Sequence, residues 1–138
     1  MAGEASPASK TIEREVQPSA QAVDTNTDLA ECPVTGTVTK VDYVPIAAIT
    51  GANTNSRTVS LVNKGPAGSG STVVATLAFT SGVNAAADVA KSVTLSGTAA
   101  NLAVTSGDVL EWQSTHVGSG LADPGGLAHI EISRIAGS

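Results

Sequence analysis

The run SGDVLEWQST, Ser106–Thr115, decides the fold class. Ser106, Gly107 and Asp108 form a tight-turn signal, because glycine frees the backbone and aspartate favours turns. Alternation follows. Leu110 and Trp112 fall on one side, Glu111 and Gln113 on the other. A period of two is the mark of a half-buried strand.

The same pattern recurs on both sides of this run. Leu127–Arg134 puts Ala128, Ile130 and Ile132 inward, with His129, Glu131 and Ser133 outward. Arg57–Asn63 places Val59 and Leu61 on one face, and Thr72–Phe79 places Val73, Ala75, Leu77 and Phe79 together. Val34–Pro45 reads as Val34, Gly36, Val38 and Lys40 on one face, with Val41 and Tyr43 opposite. Ile46–Ile49 reads as a short strand, and Lys91–Ser96 with Ala100–Thr105 as a strand pair. The connection Ser81–Ala90 has room for one helical turn over Ala85–Ala90. Turns and loops fall at Gly51–Ser56, Lys64–Ser71 and His116–Gly126. Seven or eight short strands without a long amphipathic helix predict an all-β chain. The expected architecture is a compact, antiparallel, jelly-roll-like β-sandwich over residues 34–138, with an extended N-terminal arm. No fixed-period repeat suggests a solenoid or propeller.

Residues 1–33 differ in character. They contain Pro7, Pro18 and Pro33 among many Ser, Thr, Ala and Gln residues. Ser9–Val16 is too short for an isolated helix. Fixing ten such residues costs on the order of 10–20 kcal/mol of backbone entropy. The apolar side chains Ile12, Val16, Val23 and Leu29 look too few to offset it. The reading is an arm that is largely disordered when free and ordered by a partner. Ile12, Val16, Val23, Leu29 and Pro33 are then its expected contact residues.

Charge and composition narrow the function. The net charge is −5, and residues 1–33 carry two basic against six acidic residues, −4 of it. No basic stripe offers itself to a phosphate backbone, so no nucleic-acid partner is expected. The N-terminal MAGEASPASK lacks an apolar signal core, and no stretch approaches membrane-spanning length. With a lone Cys32 excluding an internal disulfide, the expectation is synthesis in a reducing cytoplasm without a membrane partner. The domain's core is lean in aromatics, with only Tyr43, Phe79 and Trp112. Self-association commonly strengthens such a domain, so a homo-oligomer is expected.

Motifs for chemistry fail on inspection. Gly65–Thr72 fits the phosphate-loop frame except that Ser71 stands where the lysine must be, and a strand pattern follows. Asp24–Asp28 starts like a calcium loop, but Leu29 and Thr35 replace the required glycine and glutamate. Cys32, His116 and His129 match no zinc spacing. Ser114, His116 and Asp123 are the only triad one would assemble, and no nucleophile elbow holds the serine. Asp108 and Glu111 suit a turn and a strand face better than a glycosidase pair. No catalytic, cofactor or metal site is therefore expected.

Three runs together carry a resemblance. They are SGDVLEWQSTHVGSGLADPGG (106–126), GTVTKVDYVP (36–45) and NSRTVSLVNKG (55–65). In strand order and turn placement, residues 34–134 resemble the small head decoration (cement) proteins of tailed phages infecting actinobacteria. The resemblance implies a virion protein made in the host cytoplasm. It implies binding to the major capsid protein on the outer capsid surface, often as a trimer, without a cofactor, and bracing of the lattice. The arm would correspond to a capsid-gripping segment. His116, Asp123 and His129 are the residues expected at a subunit interface. A second class of function is a receptor- or carbohydrate-binding module of a fibre or tail.

Overall fold

The computed structural model describes residues 9–135. Among the described residues, ten strands form two five-stranded sheets. They are β1 (Ser9–Val16), β2 (Thr25–Glu31), β3 (Gly36–Pro45), β4 (Ser56–Asn63) and β5 (Thr72–Ala78), then β6 (Lys91–Ser92), β7 (Thr94–Leu95), β8 (Ala103–Val104), β9 (Val109–Val117) and β10 (Gly126–Arg134). The first sheet runs β1-β10-β3-β6, with β8 also on β3; the second runs β2-β9-β4-β5-β7. Every pairing is antiparallel. The pairs β1·β10, β2·β9, β3·β6 and β4·β5 nest inside one another, which is the winding of a jelly roll.

The strictly alternating strands fold as their sequence dictates. Val59, Leu61, Leu110, Trp112, Ala128, Ile130 and Ile132 are all fully buried between the sheets. Trp112 packs on Tyr43 with ring centroids 5.6 Å apart. Its indole Nε1 is buried with no hydrogen-bond partner among the described residues. Trp112→Phe is therefore expected to cost less than about 2 kcal/mol, because losing an unpaired buried donor offsets part of the lost volume. A larger fall in thermal stability would show that the indole N–H is satisfied, for instance by a buried water.

Bulges break the alternation in three other strands. The registers jump at Thr39, at Leu29 and at Val74. Each inserts one residue and shifts the inward phase. Val38 and Val41 consequently share the core face of β3, and Val74 and Ala75 are both buried while Val73 is exposed. The expected strand pair over 91–105 does not form. Lys91–Ser92 joins β3 and Thr94–Leu95 joins β5, so this segment crosses between the sheets and closes one side of the sandwich. Ala99–Leu102 is a 3-10 turn. Ile46–Ile49 makes only an isolated bridge, from Ile49 to Ala85, and Ala85–Ala90 forms turns rather than a helical turn.

The reading of residues 1–33 as an arm apart from the domain is corrected. Residues 9–16 and 25–31 are edge strands of the first and second sheets. Ile12, Val16 and Leu29 are 3%, 2% and 6% exposed and complete the core; Val23 and Pro33 lie at the surface. Two edge ladders and these buried side chains supply together what the sparse apolar residues lack alone. Residues 1–8 of the expected arm lie outside the described residues.

Candidate functional site

Arg57 lies in the same inward phase as Val59 and Leu61, so β4 drives its guanidinium into the interior, where it is fully buried. Each of its three nitrogens finds an oxygen. Nε donates to the Leu121 carbonyl at 2.5 Å and Nη1 to Ser114 Oγ at 3.0 Å. Nη2 donates to the carbonyls of Ala20, Gln21 and Val23 at 2.9, 3.2 and 2.9 Å. Ser114 Oγ in turn donates to Asp123 Oδ2 at 2.6 Å. The Tyr43 hydroxyl donates to Asp123 Oδ1, and the Gly125 amide to the same oxygen at 3.0 Å. Ser19 and Asp123 also exchange backbone hydrogen bonds at 2.9 Å. This clasp joins both sheets to the β1–β2 and β9–β10 connections at one end of the sandwich. Burial and the Asp123 charge push the Tyr43 phenol above its ordinary value, and burial lowers that of Arg57 against the opposing pull of Asp123.

These contacts change the reading of the expected residues. Asp123, 1% exposed, is a core acceptor rather than an interface residue. Ser114, also 1% exposed, meets Asp123 directly. His116 instead turns to Asp24, with Nδ1 2.6 Å and the backbone amide 2.9 Å from Oδ1. Ser114, His116 and Asp123 are thus not assembled as a relay. The His116 amide and ring hold the Asp24 carboxyl below its ordinary value, and together they tie down the β1–β2 connection. Cys32 sits near the opposite end, its thiol donating to the Val34 carbonyl at 3.1 Å and raised by burial.

His129 does face outward, among other charged side chains on the outer face of the first sheet. The registers of β1, β10 and β3 set three rows across the outer face of the first sheet. The first row is Glu15, Leu127 and Val44; the second is Glu13, His129 and Asp42; the third is Thr11, Glu131 and Lys40. His129 bridges two carboxylates, Nδ1 to Glu13 and Nε2 to Glu131, both at 2.9 Å. Lys40 lies 3.5 Å from Asp42. A depression of about 540 Å³ opens beside the first row, bounded by Ile46, Pro18 and Pro124. A second, of about 300 Å³, covers the other two rows, and Val44 lines both.

Hydrogen bonds from Glu131 and Glu13 raise His129 above its ordinary 6.5. Its stabilising charge is thus complete below that value and lost as pH rises through the raised one. Glu131 is held below its ordinary value by His129, so its share is lost only as pH falls through that lower value. The melting-temperature advantage of the native chain over His129→Gln is expected to be largest in the mildly acidic range and to vanish in mild alkali. A difference constant with pH would mean the charge of His129 contributes nothing.

Comparison with family models, curated proteins and solved structures returns no match. Sequence reasoning placed His129 on an outer strand face but missed Arg57, Tyr43 and the rows around Leu127. For Arg57 a signal existed, since it shares the inward phase of Val59 and Leu61.

Proposed function

We propose that this chain is a structural virion protein that binds the outer surface of a phage capsid and stabilises the head lattice. The observation that carries the proposal is the outer face of the first sheet, where a row holding Leu127 and Val44 beside Glu15 and two charged rows lie side by side on a clasped jelly roll. It adds to the likeness in strand order and turn placement to head decoration proteins. The partner is the major capsid protein, met from outside after synthesis in the host cytoplasm. A homotrimer suits the lean core and the lattice, and many copies make modest single contacts add up. No cofactor, nucleic acid or membrane enters the role, and the chain acts without catalysis. The alternative, a receptor- or carbohydrate-binding module, calls for exposed aromatic faces. Tyr43, Phe79 and Trp112 are all fully buried, which weighs against it.

The test is co-sedimentation of purified protein with mature, undecorated capsids. Saturable binding on the order of hundreds of copies per particle is expected for a lattice-wide role. Absence of binding, or saturation at a handful of copies, would favour a fibre or tail module.

A further inference from the structure

The two depressions on the first sheet differ in whether their charges are already paired. In the smaller, every charged group has a partner: His129 bridges Glu13 and Glu131, and Lys40 faces Asp42. In the larger, of about 540 Å³, the charged groups are Glu15 and Asp88. Both are exposed, and neither carboxylate makes a hydrogen bond or ion pair among the described residues. Between them the floor is apolar, with Leu127 opposite Val44 and with Ile46 and Pro124 at the sides. Ile46 is 66% exposed. Unpaired carboxylates on either side of an exposed aliphatic floor suit a partner with an apolar centre and two cationic flanks.

The strand register sets the spacing of those flanks. Glu15 of β1 lies opposite Leu127 of β10, which lies opposite Val44 of β3. Asp88 lies one strand further, its amide donating to the Pro45 carbonyl at 2.8 Å on the side of β3 that also pairs with β6. Glu15 and Asp88 are thus about three strand spacings apart, roughly 14 Å. Side chains on one face of an extended segment recur at every second residue. Two such residues four apart in sequence are separated by roughly 13 Å, with a third midway between them. We infer that this depression receives an extended segment of a partner protein laid across the strands, with an aliphatic side chain over Leu127 and Val44 and a lysine or arginine two residues to either side, facing Glu15 and Asp88. The flexible stems of those cations lie along the apolar floor and absorb the small mismatch in length. The inference rests on the decoration reading, under which the segment belongs to the major capsid protein. It also replaces an N-terminal arm as the gripping element.

The experiment compares four full-length chains on undecorated capsids. They are the native chain, a flank variant with Glu15→Gln and Asp88→Asn, a floor variant with Ile46→Ser, and a charge control. The control carries Asp28→Asn and Glu111→Gln, a cross-strand pair in the second sheet, and removes as many charges as the flank variant. Asparagine tolerates the positive φ of 62° at position 88. All substituted positions are at least partly exposed, and unchanged melting curves confirm folding. The flank variant is expected to lose affinity about fivefold at low salt and less than about twofold in roughly 0.5 M salt, where exposed charges are screened. The floor variant is expected to lose about tenfold at either salt concentration, because its loss is apolar. The control is expected to stay within about twofold of the native chain at both. Support requires both losses. Loss in neither variant or in only one, or an equal loss in the control, overturns the inference while leaving the capsid reading intact. If the native chain does not bind capsids, the capsid reading fails, and labelled peptides decide the site. In one peptide a leucine has a lysine two residues to either side; in its counterpart, of the same composition, the lysines adjoin the leucine and face the other way. Binding of the first alone, weakened in both variants, supports the site, and any other pattern overturns it.

Discussion

A chain lacking residues 1–33 is expected not to fold. Its deletion uncovers the β10 edge along the whole Ser9–Val16 ladder and the β9 edge along Thr25–Glu31. It also removes Ile12, Val16 and Leu29 from the core. Burying an aliphatic side chain of this kind is worth about 1.5–3 kcal/mol. Three of them plus two ladders match the whole stability of an ordinary domain, about 5–15 kcal/mol. Two further losses add to this. Arg57 would lose the carbonyls of Ala20, Gln21 and Val23, and His116 would lose Asp24. The truncated chain should show no cooperative thermal transition and should elute as aggregate. A soluble, cooperatively melting fragment of residues 34–138 would restore the separate arm. Loss of capsid binding on this deletion would therefore say nothing about where the capsid is gripped, whereas surface variants that keep the fold would.

How far the sequence can be read depends on where each strand finds its stability. β4, β9 and β10 lie between two partners each, and their inward phases are apolar apart from Arg57 in β4 and Ser114 in β9. Their alternation is visible from the residues alone. β3 and β5 alternate as well, but the extra residues at Thr39 and Val74 change phase midway. Such bulges are set by cross-strand pairing, which no local pattern encodes. β1 is harder still. Its inward positions are Lys10, Ile12, Arg14 and Val16, and the rest of the strand is polar. An edge strand needs only a thin apolar stripe when β10, more than a hundred residues later, supplies the ladder. Judged by local composition, the same segment reads as disorder. The candidate site shares this property, because Glu15, Leu127 and Val44 meet only once three distant strands are in register.

Replacing Arg57 by leucine is expected to destabilise the protein by about 3–5 kcal/mol, the usual cost of removing one partner from a buried charged network. For a chain of this length that is a melting-temperature fall of roughly 10–20 °C. The mechanism is twofold. The Asp123 carboxylate stays buried, keeping Tyr43 and Ser114 as donors but losing the nearby positive charge. The carbonyls of Leu121, Ala20, Gln21 and Val23 lose their shared donor. Counting each carbonyl at about 1–3 kcal/mol would overshoot, because the connection can swing into water. Ala20, Gln21 and Val23 are themselves exposed, so their carbonyls are close to solvent. The relaxation has its own signature. Amide exchange should accelerate along the β1–β2 connection and spread into β1, while β4 and β9 stay protected until global unfolding. Arg57→Lys should recover only part of the loss, since one ammonium on a flexible stem keeps the charge but cannot span carbonyls on two connections. Asp123→Asn combined with Arg57→Leu should cost less than the two separate losses added, because the double variant leaves no uncompensated carboxylate. Strict additivity would mean that Arg57 acts through the backbone carbonyls alone. A leucine variant within about 1 kcal/mol of the native chain would mean that the clasp only fills space.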